Sequence, residues 1–259
     1  MSISQSMCRV FIISGSSRGI GKALSQHYLG CGDIVVGCAR SPSDIAHKNY
    51  RHFILDINDE KAVVSMVRAA KKEFGKIDIC LNNAGMASMN HILTTSYESA
   101  KRLVDVNFLG AFLLSREVAK AMISNKISNK ISNKISNKIS NKNSATSGVI
   151  INFSSVAAPL CLEGEAIYAA SKAACESLTK TMAKELASYS IRVNAIALTP
   201  VQTDLIKAVP KDKIKALLEQ QAIKRFGEFD DIINVVDFFL SQKSDFITGQ
   251  IITLGGVLR

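Results

Sequence analysis

The chain lacks any run of eighteen or more apolar residues, which excludes an obvious membrane-spanning helix. It has no CxxC pair: its six cysteines, at 8, 31, 38, 80, 161 and 175, are scattered among apolar or small residues. That pattern predicts reduced, buried thiols rather than a disulfide scaffold. The four histidines, His27, His47, His52 and His91, show neither HxxxH nor HExxH spacing. No zinc or other metal site is expected, and all four read as ordinary helix, loop or surface residues. Nor is there a secretory pattern at the start. MSISQSMCRVFIISG reaches a strand-like run after a few residues, with no room for a full-length transit peptide.

Positive charge, by contrast, is in excess. The formal net charge is +10, but five lysines belong to the tract ISNKISNKISNKISNKISNK at 123–142, and without them the excess falls to +5. No basic-aromatic interleaving accompanies it, so nucleic acid is not the expected partner. A basic surface still suits an acidic or phosphorylated one. Within the tract, isoleucine every fourth residue drifts by about 40° per copy around a helix. One apolar stripe cannot persist through five copies. The tract reads as a low-complexity insertion forming an exposed excursion, helical at most at its start, in a single domain spanning 1–259.

The remainder alternates strand and helix. Apolar, β-rich runs lie at 8–14, 33–39, 52–57, 77–82, 148–154, 191–198 and 250–254. Helical patterns lie at 19–30, 59–75, 97–123, 166–188, 211–221 and 228–242. Continuous apolar strands separated by helices predict an α/β fold: a doubly wound, mostly parallel seven-stranded sheet covered on both faces.

Several short stretches carry chemistry. SGSSRGIG (14–21) follows the first strand and opens a helix, where glycines permit tight turns and close approach of a phosphate to free N–H groups. Its spacing is GxxxGxG rather than GxGxxG. GCARS ends the second strand with Arg40 where NAD-binding folds often carry an acid. Arg18 and Arg40 suit a ribose 2′-phosphate, hence NADP(H). In YAASK (168–172), Tyr168 and Lys172 are one helical turn apart, so phenol and ammonium can face one site. A nearby cation is expected to lower the phenol's pKa and ease proton transfer to a carbonyl oxygen.

With NNAG (82–85), VNFLG (106–110) and FSSVAA (153–158) in the same order, the chain resembles the short-chain dehydrogenase/reductase family over essentially its whole length outside the tract. The resemblance implies a Rossmann-type fold with Ser155, Tyr168, Lys172 and Asn107 as catalytic residues. The thirteen-residue interval to Tyr168 selects Ser155 over Ser154, which is expected to be structural. It further implies that Gly15, Ser17, Arg18, Gly19, Ile20, Gly21, Arg40, Asp56, Ile57, Asn83, Ala84, Gly85, Tyr168, Lys172, Val201 and Thr203 bind NADP(H). Asp56 reads equally as an adenine contact or a turn acid. Asn107 is expected to hold a water that relays protons to Lys172, and Asn82 to tie strands together through backbone bonds.

Two departures stand out. Ser14 replaces the usual threonine, and Leu198-Thr199 replace a common Pro-Gly pair before Pro200. The tail, with RFG and ITGQ...GG, is similar to 3-oxoacyl-acyl-carrier-protein reductases. That implies NADPH-dependent reduction of a 3-oxoacyl thioester in fatty-acid synthesis, in the mitochondrial matrix or the cytoplasm. The substrate would be a small molecule or borne on acyl-carrier protein, and helices 97–122 and 166–188 would build a homotetramer. An NADPH carbonyl reductase for small ketones, quinones or sterols is the alternative, since no basic residue follows NNAG in MASMNHIL (86–93). A non-catalytic dinucleotide-binding regulator is the third reading.

Overall fold

The computed structural model describes residues 8–135, 147–206 and 209–256. Seven strands form one sheet: β1 (Val10–Ser14), β2 (Ile34–Ala39), β3 (Tyr50–Ile54), β4 (Ile79–Asn82), β5 (Gly148–Ser155), β6 (Ile191–Leu198) and β7 (Ile251–Thr253). Their spatial order is β3-β2-β1-β4-β5-β6-β7, with every pairing parallel. The order reverses between β1 and β4, the switch point where such sheets open a crevice at their C-terminal ends.

Strand side chains alternate between two cores. Phe11 and Ile13 face one with Leu24 and Tyr28 of α1 (Gly19–Gly30), whereas Ile12 faces the other with Val63, Met66 and Val67 of α2 (Glu60–Phe74). Each fully buried side chain of this kind contributes about 1.5–3 kcal/mol. Both faces of β1 are sealed, so its polar end at Ser14 marks the rim. Helix α2 begins where Asp59 accepts the Ala62 N–H at 3.1 Å and ends on Gly75 in the left-handed region, as its acids and terminal lysines predict.

After α3 (Tyr97–Val104) the helix does not run on smoothly. Asp105–Leu109 form a π turn, and α4 (Gly110–Ile135) follows. Helix α4 continues through the first three ISNK copies, in keeping with a helical start to the tract; the rest of that tract lies outside the described residues. A short α5 (Ala157–Leu160) and the long α6 (Ala166–Leu186) come after β5, and α7 (Lys211–Glu219) and α8 (Phe229–Leu240) after β6.

Three expectations need correction. Strand β3 starts at Tyr50 and stops at Ile54, because β2 supplies no partner beyond Ala39. Leu55–Ile57 therefore leave the sheet. Asn82 ties β4 to β5 through its side chain, with Nδ2 donating to Asn152 Oδ1 at 2.7 Å and to Ser115 Oγ at 2.6 Å. All six cysteines are free, but Cys8, Cys31 and Cys161 are exposed and only Cys38, Cys80 and Cys175 are buried. The exposed three lie outside the strands, in the chain before β1, after α1 and after α5. Among the described residues no helix is long and apolar enough to cross a membrane, and no cluster of three or more His, Cys, Asp or Glu could hold a metal ion.

Candidate active site

At the switch point, the chain leaves β1 through Gly15 (φ 70°) and Gly19 (φ 54°), both left-handed. A Cβ on Gly15 would lie 2.8 Å from Asn83 Nδ2, and one on Gly21 would lie 2.3 Å from the Gly15 carbonyl oxygen. Only glycine lets the turn lie this close to α1. The turn is braced from both sides: Gly15 N–H donates to Cys38 O at 2.7 Å, and Asn83 Nδ2 donates to Ser14 O at 3.0 Å. The Ser14 hydroxyl accepts the Ala84 N–H at 2.9 Å, so the residue in the family's threonine position keeps a defined bond.

Helix α1 opens at Arg18 without a side-chain cap and with no acid in its first turn. Its free N–H groups and positive dipole end face the cleft, which suits an anion such as a pyrophosphate. The cleft holds about 430 Å³ and is lined by Gly15, Ser17, Arg18, Gly19, Ile20, Arg40, Asp56, Ile57, Asn83, Ala84, Gly85 and Thr203. Of the expected dinucleotide set, Gly21 lies beneath the turn and acts through packing. Tyr168, Lys172 and Val201 line the adjoining cavity instead. Asp56 lines the cleft, and its carboxylate accepts the Asn58 N–H at 2.9 Å, as a turn acid does.

That second cavity, of about 340 Å³, shares Ile20, Asn83, Gly85, Met86, Ala87 and Thr203 with the first. Ser155, the last residue of β5, points into it beside Tyr168 and Lys172 of α6. Ser155 and Tyr168 line the same wall of this cavity. Ser155 Oγ also accepts the Ala157 N–H at 3.2 Å. Lys172 is buried, its Nζ donating to Phe153 O at 2.8 Å and lying 5.9 Å from the Tyr168 ring centroid. A Cβ on Gly85 would sit 3.5 Å from that Nζ, so the ammonium stands directly behind the NNAG turn. Ser154 also lines the cavity, but its hydroxyl is engaged, donating to Glu176 Oε1 at 2.9 Å.

The electrostatics overturn one expectation. Burial pushes the Tyr168 phenol up to about 12; the Ser155 hydroxyl pulls it down and the Glu165 charge raises it further. Lys172 does not acidify it, because the ammonium is directed at the Phe153 carbonyl and burial lowers its own pKa. Tyr168 is therefore protonated at neutral pH.

Asn107 sits in the π turn and is buried, but it lines neither cavity. Its Oδ1 accepts the Met86 N–H at 2.8 Å, and its Nδ2 donates to Met86 O at 2.9 Å and Ser171 Oγ at 3.0 Å. The side chain clamps the NNAG turn to α6. No sequence periodicity signals the π turn that places it there.

Sequence reasoning also missed the cavity's far wall. Met86, Met89 and Leu162 close one side, and Ile214 and Leu217 of α7 close the other. Glu163, Glu165 and Lys213 are its charged members besides Lys172, with Glu163 3.6 Å from Lys213. The amphipathic spacing of Ile214 and Leu217 was the available signal. In place of the family's Pro-Gly, the Thr199 methyl packs where a Cβ on Gly227 would lie 2.8 Å away, and Gly227 N–H donates to Pro200 O at 2.9 Å.

These features agree with known proteins. A family model described as enoyl-(acyl carrier protein) reductase matches residues 15–256. The 3-oxoacyl-acyl-carrier-protein reductase of Staphylococcus epidermidis is 32% identical over 255 residues, covering 95% of this chain and 96% of its own. A 3alpha-hydroxysteroid dehydrogenase of Mediterraneibacter gnavus is 30% identical, covering 97% of each chain. Among solved structures, 4-hydroxyisoleucine dehydrogenase complexed with NADH superposes with a TM-score of 0.77 at 27% identity, covering 96% of this chain and 97% of that one. With whole-chain matches in both sequence and fold, this chain belongs to the short-chain dehydrogenase/reductase family of oxidoreductases.

Proposed function

We propose that the protein reduces the keto group of a 3-oxoacyl thioester to an alcohol, using NADPH. The observation that carries this reading is the convergence of Ser155, Tyr168 and a buried Lys172 on one wall of a largely apolar cavity that opens onto the glycine cleft. When bound in that cleft, a nicotinamide dinucleotide supplies the hydride. The protein's own residues handle the substrate oxygen. Ser155 donates a hydrogen bond to it as negative charge develops. Tyr168, protonated at neutral pH, gives it a proton. Lys172, anchored on the Phe153 carbonyl and standing behind Gly85, would hold the nicotinamide ribose. Asn107 keeps the NNAG turn and α6 in register and so places Lys172 against Gly85.

NADPH is favoured by Arg18 and Arg40, which line the cleft where β2 ends without an acid. A 3-oxoacyl thioester is favoured by the relative named above and by apolar walls that suit an acyl chain. Lys213 at the mouth offers a cation to a carrier's phosphate-bearing arm. The exposed Tyr97, Leu109 and Phe112, from α3 through the π turn to α4, support assembly into a homotetramer.

The hydroxysteroid dehydrogenase relative favours a second reading, in which the same wall takes a fused-ring ketone. NADPH oxidation measured with acetoacetyl-carrier protein, its free thioester, a steroid ketone and simple ketones separates the two. Preference for the carrier-bound thioester supports the proposal. Preference for the steroid ketone replaces it, and absence of turnover with any carbonyl leaves a dinucleotide-binding regulator. NADH run in parallel tests the cofactor assignment.

A further inference from the structure

A second polar network lies behind the dinucleotide cleft and takes no part in the chemistry above. The Tyr50 hydroxyl donates to Ser16 Oγ at 3.1 Å and meets His52 Nδ1 at 3.0 Å. Ser16 Oγ is itself 3.4 Å from the same ring nitrogen. On the other side of the ring, His52 Nε2 meets the Ser41 carbonyl oxygen at 2.9 Å. A carbonyl oxygen only accepts, so Nε2 carries a proton and donates.

The chamber that holds this network exists because residue 37 has no side chain. A Cβ on Gly37 would lie 2.3 Å from Ser16 Oγ and 2.4 Å from the Tyr50 hydroxyl. Gly37 and His52 are also register partners across β2 and β3. The two ends of the network are significant for the cleft. Ser16 is fully buried within the glycine turn. Ser41 follows Arg40, and both line the cleft beside Arg18. Beyond Ala39, where β2 stops, the strand ladder no longer holds this backbone, and the imidazole supplies a hydrogen bond in its place.

We propose that His52 is a positioning residue for cofactor choice: by gripping the Ser41 carbonyl and abutting the Ser16–Tyr50 pair, it fixes the Arg40 loop relative to the glycine turn. The Arg40 side chain is thereby presented at the cleft, where it would meet a ribose 2′-phosphate. This rests on the NADPH reading above. It assigns the selectivity to the loop's attachment as well as to the arginine.

The test is equilibrium binding of NADPH and of NADH to wild type, His52→Phe, His52→Gln and Tyr50→Phe, followed by nucleotide fluorescence. Thermal unfolding of each variant is measured alongside. His52→Phe keeps a ring but loses the grip, and is expected to weaken NADPH binding about tenfold, leaving NADH within about twofold (tenfold being ~1.4 kcal/mol). His52→Gln, with an amide N–H near the Nε2 position, is expected to restore most of the preference. Tyr50→Phe leaves the Ser41 bond in place and is expected to keep it. Equal weakening of both nucleotides, or an unchanged ratio in folded His52→Phe, overturns the inference. A wild type that binds both dinucleotides alike overturns the NADPH reading and this inference together. Failure of wild type to bind either one defeats the proposed function at its base.

Discussion

The two cavities that meet at Gly85 and Asn83 are built in opposite ways. The glycine cleft is made of turns at strand ends, tied to one another by backbone and amide bonds: Gly15 to Cys38, Asn83 to Ser14, Ala84 to Ser14. The cavity beyond it has one firmly bonded wall, β5 and α6, and a second wall of apolar side chains from Met86, Met89, Ile214 and Leu217. Bonds that fix backbone leave little latitude in ligand geometry. Packing of flexible methionine and leucine side chains leaves a good deal. The cleft thus reads one ligand closely, while the cavity adapts to a class of them.

The sharpest test of that contrast is Tyr168→Phe. Removing the proton donor is expected to lower turnover about 10²–10⁴-fold with dinucleotide affinity unchanged. Equal loss in steady-state rate and in nucleotide binding would mean that the two regions are not separable. Next in size is Arg40→Glu in the cleft, which places like charge against a 2′-phosphate. It is expected to shift the NADPH:NADH affinity ratio about 10–100-fold towards NADH, without changing relative rates among carbonyl substrates. Leu217→Ala, in the adaptable wall, should do the reverse. It is expected to raise KM about two- to fivefold for longer acyl chains, since each lost methylene contact is worth about 0.8 kcal/mol, and to leave nucleotide affinity alone.

Smaller effects bound the comparison from outside. Because burial pushes the Tyr168 phenol up to about 12, reduction is expected to show no loss from phenol ionisation between neutral pH and mildly alkaline pH. A pH–rate profile falling with a group near 8 would point to a different donor. Helix α8 is capped where Asp231 accepts the Glu228 N–H at 2.8 Å and pairs with Arg225. That pairing, with the N–H bond, holds its carboxyl at about 2, below its ordinary 3.8. The stabilisation is present above pH 3.8 and is lost as pH falls through about 2. Asp231→Asn is expected to cost about 1 kcal/mol, a fall in Tm of roughly 2–4 °C, with no effect on either cavity. Replacing residues 127–142 by a short polar loop is expected to change neither turnover nor Tm.

How far the residues announced all this follows the same division. The cleft was legible because its parts are local: a glycine turn straight after VFIIS, an arginine where β2 ends, NNAG where β4 ends. Tyr168 and Lys172 were legible because four residues make one helical turn. The direction of the Tyr168 pKa was not, since it depends on burial by segments far away in the chain and on the Phe153 carbonyl drawing Lys172 aside. The far wall was hidden for a related reason. Ile214 and Leu217 look like any amphipathic pair until the chain after β6 carries them over the cavity. The π turn around Asn107 breaks a helix that the pattern from 97 to 123 presents as continuous.

The wall shared by the two cavities has a kinetic consequence. Ile20, Asn83, Gly85, Met86, Ala87 and Thr203 each face both spaces, so whatever settles into the glycine cleft becomes part of the floor on which the next molecule rests. Under the proposed function, ordered arrival is the expected outcome, nucleotide first and carbonyl second, and product-inhibition patterns check it.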